Sequence, residues 1–197
     1  MTGLAFHEYA ANFSSSGACD SDGAPRTQWR SPYEILRETT DLAAMRSNGT
    51  FFTGKALSSL LWEEEINLLT DASRVLDPAC GAGDLVLPVV TAARERGLRL
   101  TIRLNDVEES FLRVARTRIE SMSPPGSAIE TTNFDFLDAG VDFSGVSHVV
   151  MNPPFFPIRA EREWATGVVN AGAIFVDEAL ARMPSGTKLL AILPDVL

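Results

Sequence analysis

The sequence predicts an α/β fold, a mostly parallel sheet with helices on both faces, preceded by a short helical N-terminal segment. Three observations predict it. From residue 74 onward, short apolar runs of strand length alternate with longer helix-like segments. Strand runs end in chemistry-bearing residues, Asp77, Asp106 and Asn152. A turn of small residues, Asp77-Pro78-Ala79-Cys80-Gly81-Ala82-Gly83, joins the first strand to the helix after it. Parallel strands joined by helices bury both sheet faces, and ligands bind at the carboxyl ends of such strands.

Residues 1–30 read as a loose polar arm, with Ser14-Ser15-Ser16-Gly17 and Asp20-Ser21-Asp22-Gly23. Residues 31–70 read as a helical lead-in. Ser31 caps a helix, Pro32 suits its first position and Glu34 closes a capping box, with the end expected near Asn48-Gly49. A second helix is expected from Lys55 to Thr70, with Leu57, Leu60, Leu61 and Leu68 near one face. Residues 71–197 read as the core. Strands are expected at 74–77, 100–106, 128–133, 147–151 and 188–193. Helices are expected at 84–96, stopped by Gly97, at 108–121, stopped by Pro124-Pro125-Gly126, and at 170–183, stopped by Pro184-Ser185-Gly186. Residues 156–167 read as a loop carrying Arg159, Arg162, Glu161 and Glu163, with Trp164 packed in it or wedged near a ligand.

The chain has 197 residues, 45% apolar and 22% charged, which is ordinary for one globular domain. No apolar run is long enough to span a bilayer, and the first residues do not read as a signal peptide, so the expected setting is cytoplasmic, without membrane. Cys19 and Cys80 alone make neither a disulfide framework nor a zinc site, and no metal is expected. The net charge of −9 is opposite to what phosphate contacts require.

The Asp77–Gly83 turn is not a dinucleotide fingerprint, because Val86 stands at the third glycine position. Its small residues let a ligand approach the backbone closely, and Cys80 reads as a small packed residue; the plainer alternative is a generic strand-to-helix turn. The string resembles the first motif of the amino-methyltransferases. Asp106 ends the second strand, where an acid can accept both hydroxyls of a ribose, with Glu108 a weaker candidate; the alternative is a solvated acid at a helix start. Asn133-Phe134-Asp135-Phe136-Leu137 follows the third strand and, read alone, is equally a loop with two core aromatics. His148 reads as structural.

The string Asn152-Pro153-Pro154-Phe155 follows an apolar strand. An exocyclic amine on a base is a poor nucleophile, because its lone pair is delocalised into the ring. Acceptors on its two protons draw it towards a tetrahedral form. The side-chain carbonyl of Asn152 and the backbone carbonyl of Pro153 suit that task, and the prolines fix the aim of the backbone. Phe155 offers a face for an extruded base, worth about 1–3 kcal/mol. Alone, the string is also a plausible turn after a strand.

Together these motifs resemble the gamma-class DNA adenine-N6 methyltransferases, over about residues 31–197. Modification subunits of type I restriction systems and fused type II enzymes are the most similar members. The resemblance implies a Rossmann-like S-adenosylmethionine-dependent methyltransferase fold. It implies S-adenosyl-L-methionine as cofactor, held by Asp77, Pro78, Ala79, Gly81, Gly83 and Asp106. By resemblance, Asp135 bonds the amino group of the cofactor's adenine and Phe136 borders the ring. The family's Phe-Thr-Pro segment lies over the methionine end of the cofactor; here it reads Phe51-Phe52-Thr53-Gly54, which brings in Thr53 and Gly54. Gly54 in place of proline leaves that segment less rigid. The implied catalytic set is Asn152, Pro153, Pro154 and Phe155, and the implied substrate is adenine flipped from duplex DNA, in a restriction-modification or phage-defence setting.

Two departures bear on partners. The family sheet has seven strands where five are read here, and no target-recognition domain follows. The expectation is therefore a fragment or half of a split enzyme, with an exposed fifth-strand edge and the DNA-reading surface on a second chain or C-terminal region. Competing readings are a methyltransferase acting on RNA or on a protein glutamine, since such enzymes carry Asn-Pro-Pro-Phe or Asn-Pro-Pro-Tyr, and a non-catalytic scaffold subunit.

Overall fold

The computed structural model describes residues 8–9, 32–39, 53–138 and 140–194. The expected helix is present from Pro32 as α1 (Pro32–Thr39), while its expected cap, Ser31, lies outside the described residues. Its expected end near Asn48-Gly49, most of the arm, and Phe51-Phe52 lie outside the described residues. Where the arm is described, at Glu8 and Tyr9, it is helical rather than loose. Burial pushes the Tyr9 phenol up to about 12, with Arg118 opposing the shift.

The lead-in helix is shorter than the leucine spacing suggests. It runs as α2 (Lys55–Leu61) and passes through a turn into a 3-10 segment, Ile66–Leu68. Its buried residues are Ser58 and the following Trp62, while Leu57, Leu60 and Leu68 are exposed. The indole decides the orientation. Trp62 is fully buried and donates Nε1–H to the carbonyl of Leu85 at 2.8 Å, which both satisfies its polar atom and pins α2 to the core.

The remaining elements in chain order are β1 (Arg74–Asp77), α3 (Leu87–Arg96), β2 (Thr101–Asn105), α4 (Glu109–Met122), β3 (Ala128–Thr132), β4 (His148–Met151), β5 (Pro157–Arg162), β6 (Ala165–Asn170), α5 (Ala171–Arg182) and β7 (Lys188–Ala191). The five expected strands form one parallel sheet in the order β3-β2-β1-β4-β7. This is the Rossmann-like α/β sheet that the sequence predicts. Residues 81–86 turn before α3 begins, so Asp84 is not at a helix start; Gly97 ends α3 with φ 68°.

Strand periodicity sends alternate side chains to two cores. Val75, Ile102, Leu104 and Val150 face a core under α3 and α4 with Trp62. Leu76, Val149 and Met151 face a second core closed by α5 and by Phe136, Val141 and Phe143 of the crossover to β4. Among the described residues, the second face is therefore covered by one helix and an irregular segment. Arg103 holds that segment, pairing with Glu130 at 2.7 Å and donating to the Ser144 carbonyl at 2.8 Å.

The expected loop at 156–167 is instead an antiparallel hairpin, β5 with β6, paired from Pro157↔Asn170 to Arg162↔Ala165. Its two-residue turn is Glu163-Trp164, and no non-glycine residue among those described has positive φ. The turn carries no Asn-Gly or Asp-Gly signal, which is why it reads as a loop. Trp164 is 51% exposed at the tip rather than packed.

Candidate active site

The strand order reverses between β1 and β4, so the segments leaving their carboxyl ends diverge and open a crevice there. Those segments are the Asp77–Gly83 turn and Asn152-Pro153-Pro154-Phe155. A narrow cleft of about 20 Å3 lies between them, lined by Thr53, Asp77, Ala79, Gly81, Asp84 and Asn152 among others.

Asp77 is fully buried at the end of β1. Its Oδ1 accepts from the Ala79 N–H at 3.3 Å, while Oδ2 has no partner. Burial holds its carboxyl well above the usual carboxylate range. Asn152 donates Nδ2–H to Thr53 Oγ1 at 2.9 Å, and its Oδ1 is buried without a partner. These are the only buried, unpartnered side-chain polar atoms among the described residues, and both belong to residues lining this cleft. Unpaired buried acceptors are costly to a fold and mark places where a donor is expected to arrive.

The turn itself is built on glycine geometry. Gly83 has φ 83°, and a Cβ there would come within 3.2 Å of Ala115 Cβ on α4. Gly81 has φ 50° and donates its N–H to Asp106 Oδ2 at 2.7 Å. Asp106 Oδ1 accepts from the Glu108 N–H at 2.9 Å. Burial raises the Asp106 carboxyl to about 6, against the pull of these two amides. Glu108 is half-buried and accepts from the Ser110 hydroxyl at 3.2 Å. Cys80 packs into the core, and burial raises its thiol well above the ordinary value, which leaves no thiolate for nucleophilic chemistry.

Two residues that the sequence reading passed over position the site. Asn105 donates to the carbonyls of Pro78 at 2.9 Å and Phe134 at 3.0 Å, and accepts from Thr132 Oγ1 and the Phe134 N–H. It joins the turns after β1 and β3 to the tip of β2. A polar residue closing the apolar run before Asp106 is its signal in the sequence. Arg118 on α4 donates to the Ala82 carbonyl and pairs with Asp84 at 2.8 Å, fastening the glycine turn from below.

The third motif divides. Asp135 is exposed and accepts from the Leu137 N–H at 3.0 Å. Phe136 lies in the second core, with Phe175 at 4.9 Å between ring centroids, so its ring is not brought to the cleft. Phe134 is the exposed ring of this segment. Pro153 is buried, and Pro154 and Phe155 are half-buried. The Phe155 ring lies against Gly172 at the start of α5, where a Cβ would meet ring carbons at 3.1 Å.

A family model described as Methyltransferase small domain matches residues 49–194. A ubiquinone/menaquinone biosynthesis C-methyltransferase of Rickettsia bellii is 33% identical over 60 residues, which are 29% of this chain and 24% of that protein. A Listeria monocytogenes structure described as a class I S-adenosylmethionine-dependent methyltransferase superimposes with TM-score 0.58 at 17% identity, over 96% of this chain and 65% of that one. The methyltransferase subunit of a Streptococcus thermophilus type I restriction-modification system superimposes with TM-score 0.59 at 15% identity, over 83% of this chain and 38% of that one. This chain thus spans about a quarter of the length of the curated relative and under two thirds of either structure.

Proposed function

This chain belongs to the methyltransferase small domain family, with the Rossmann-like fold of S-adenosylmethionine-dependent methyltransferases, and on that premise we propose that it methylates the N6 amine of adenine in DNA. The observation that carries the reading is the buried, unpartnered Oδ1 of Asn152 beside the equally unpartnered Oδ2 of Asp77. One acceptor suits the amine of the methyl acceptor, and the other suits a cationic donor molecule.

The cleft fits S-adenosylmethionine in its chemistry. A positive charge arriving there would favour the ionised form of the buried Asp77 carboxyl, which burial alone disfavours, and the small residues leave backbone accessible. A cleft of about 20 Å3 takes one polar end of a ligand, with the remainder over the strand tips. We assign the hold on the methionine end to Asp77, Pro78, Ala79, Gly81, Gly83, Thr53 and Gly54. Asp106 and Asp135 are assigned to the ribose and adenine. Each Asp106 oxygen already accepts one amide and keeps a lone pair for a hydroxyl. What the cofactor supplies when bound is a methyl group activated on positively charged sulfur.

Asn152 Oδ1 accepts one proton of the adenine amine and the Pro153 carbonyl accepts the other. The nitrogen lone pair is thereby directed at the methyl carbon. Thr53 holds the Asn152 amide so that its oxygen faces the acceptor. The proton released from nitrogen leaves through solvent, and no general base of unusual pKa is needed. Phe155 and Pro154 border the ring plane.

DNA contacts need cations, and among the described residues the cleft lining holds none. Among the described residues, Arg103, Arg113, Arg116, Arg118, Arg162, Arg182 and Lys188 are engaged in ion pairs, while Lys55 and Arg159, close to the site motifs in sequence, appear in no ion pair, too few to make a basic footprint there. We therefore assign target recognition to a second chain or segment. The methyltransferase-subunit description of the S. thermophilus structure supports that division.

The test is transfer of labelled methyl from S-adenosylmethionine to adenine-containing DNA, followed by digestion. Label in N6-methyladenine is expected. Label in RNA guanine or protein glutamine instead, or none while cofactor binds and the expected partner is present, overturns the reading.

A further inference from the structure

A second cleft of about 440 Å3 lies between the β5–β6 hairpin and the start of α5, within the size range of small-molecule sites. Phe155, Phe156, Trp164, Val168 and Asn170 line it, and no lining residue is charged. Only Asn170 and the Trp164 indole carry polar side-chain atoms there, and Asn170 already caps α5 by accepting from the Gly172 N–H at 2.8 Å. At the hairpin end, Arg162 is drawn back onto Asp177 at 3.5 Å and Glu178 at 3.6 Å. The floor is fixed, since the Ala171 N–H donates to the Phe156 carbonyl at 2.8 Å and Phe155 rests on Gly172. The outer wall is the reverse of what a free surface favours, with Trp164 51% and Val168 68% exposed. The cleft begins at Phe155, three residues after Asn152.

We propose that this cleft binds the uncharged base-and-sugar portion of a purine nucleoside, with Trp164 and Val168 as its specificity-determining wall and phosphate kept outside. The occupant follows from the lining. Aromatic and aliphatic walls favour a planar ring, and a lining without a cation disfavours a phosphate. The volume takes more than the ring carrying the amine, and the cleft shares Phe155 with the Asn152-Pro153-Pro154-Phe155 string. The proposal rests on the methyltransferase reading and extends it, since the hairpin then selects an extruded or single-stranded nucleotide by its neutral part.

The experiment is calorimetric titration of adenosine, adenosine 5′-monophosphate, guanosine and cytidine into the full chain and its Trp164→Ala and Val168→Glu variants. S-adenosylmethionine titration and thermal unfolding serve as controls. Both substitutions fall at exposed hairpin positions. The expected result is adenosine binding that weakens about tenfold or more in either variant, with cofactor affinity and melting temperature unchanged. The monophosphate should bind no better than adenosine. Equal adenosine affinity in all three proteins, preference for the monophosphate, or no nucleoside binding by wild type overturns the cleft assignment, even where DNA methylation is observed. Wild-type self-association lost in Val168→Glu, without nucleoside binding, makes the cleft a docking face for a second copy and also overturns it. Binding of guanosine alone overturns the adenine part, and binding of cytidine alone overturns the purine nucleoside itself.

Discussion

Asn152 and Thr53, 99 positions apart in the chain, are joined by a 2.9 Å hydrogen bond in which the Asn152 amide donates and the Thr53 hydroxyl accepts. The bond fixes which end of the amide is occupied. The nitrogen is spent on Thr53, and the oxygen is left buried and unpartnered. A residue at the entry to α2 thereby orients the acceptor that ends β4.

Replacing Asn152 by alanine removes one preorganised acceptor and should lower the methyl-transfer rate by about 10²–10³, the usual cost of one such group. Thr53→Val removes the orienting bond along with the hydroxyl assigned to the cofactor, and should cost about 3- to 10-fold in the single-turnover rate at saturating cofactor, with Thr53→Ser restoring most of it. Single-turnover kinetics beside cofactor titration separate these effects. A Thr53→Val defect found wholly in cofactor affinity would make Thr53 a cofactor contact rather than an orienting group.

Asp106 should make cofactor affinity fall with acid. Its carboxyl lies at about 6 when folded, raised by burial, so it is ionised above that value and neutral below it. A cationic ligand favours the ionised form, so affinity is gained as pH rises through about 6 and lost below it. Titrations with S-adenosylmethionine between pH 5 and 7.5 should show that dependence in wild type. Asp106→Asn should bind more weakly and lose it. A flat wild-type profile would remove Asp106 from the ligand contacts.

The sheet was legible because each strand is punctuated: Asp77, Asp106 and Asn152 mark strand tips, and Gly97, Pro124-Pro125-Gly126 and Pro184-Ser185-Gly186 mark helix ends. Three features were not. The hairpin turn at Glu163-Trp164 uses ordinary backbone, so no turn residue announces it. Leu57 and Leu60 of α2 point outward because one indole with a hydrogen-bond partner outweighs them in choosing the buried face. Asn105 and Arg118 act across elements distant in sequence, a relationship that no local pattern carries. The site motifs were legible as strings, while the partner of Asn152 required the fold.

Gly83→Ala should destabilise the fold by about 1–3 kcal/mol, combining left-handed backbone with overpacking. The positive φ of 83° disfavours any side chain, and the added methyl would sit 3.2 Å from Ala115 Cβ. Urea unfolding measures this directly. Gly54→Ala, where nothing lies within 4 Å, is the matched control and should change little. Equal stabilities for the two variants would show that the turn relaxes away from α4.

His148 should make the fold less stable in mild acid. Burial holds its pKa below the ordinary value, with Lys188 adding to the shift and Glu65 opposing it. Its surroundings explain the balance: Glu65 stands 3.7 Å from Nε2 and Lys188 pairs with the same carboxylate at 3.5 Å. Trp62 packs at 5.6 Å between ring centroids, and the Ser147 hydroxyl lies 2.8 Å from Nδ1. Neutral histidine is therefore the folded form. The unfolded chain takes up its proton first as pH falls below about 6.5, so stability is present above that value and lost beneath it, by at most about 1.4 kcal/mol per pH unit. Asp106 acts in the opposite sense, since a raised folded carboxyl favours folding at low pH and that contribution is lost as pH rises towards 6. Asp77 and Asp84, whose carboxyls burial also raises, act in the same sense as Asp106, so a variant is needed to isolate the histidine. Urea unfolding of wild type and His148→Asn between pH 5 and 7.5 should give a difference in stability that changes with pH below about 6.5. A constant difference across that range would mean that His148 titrates alike in the folded and unfolded chains.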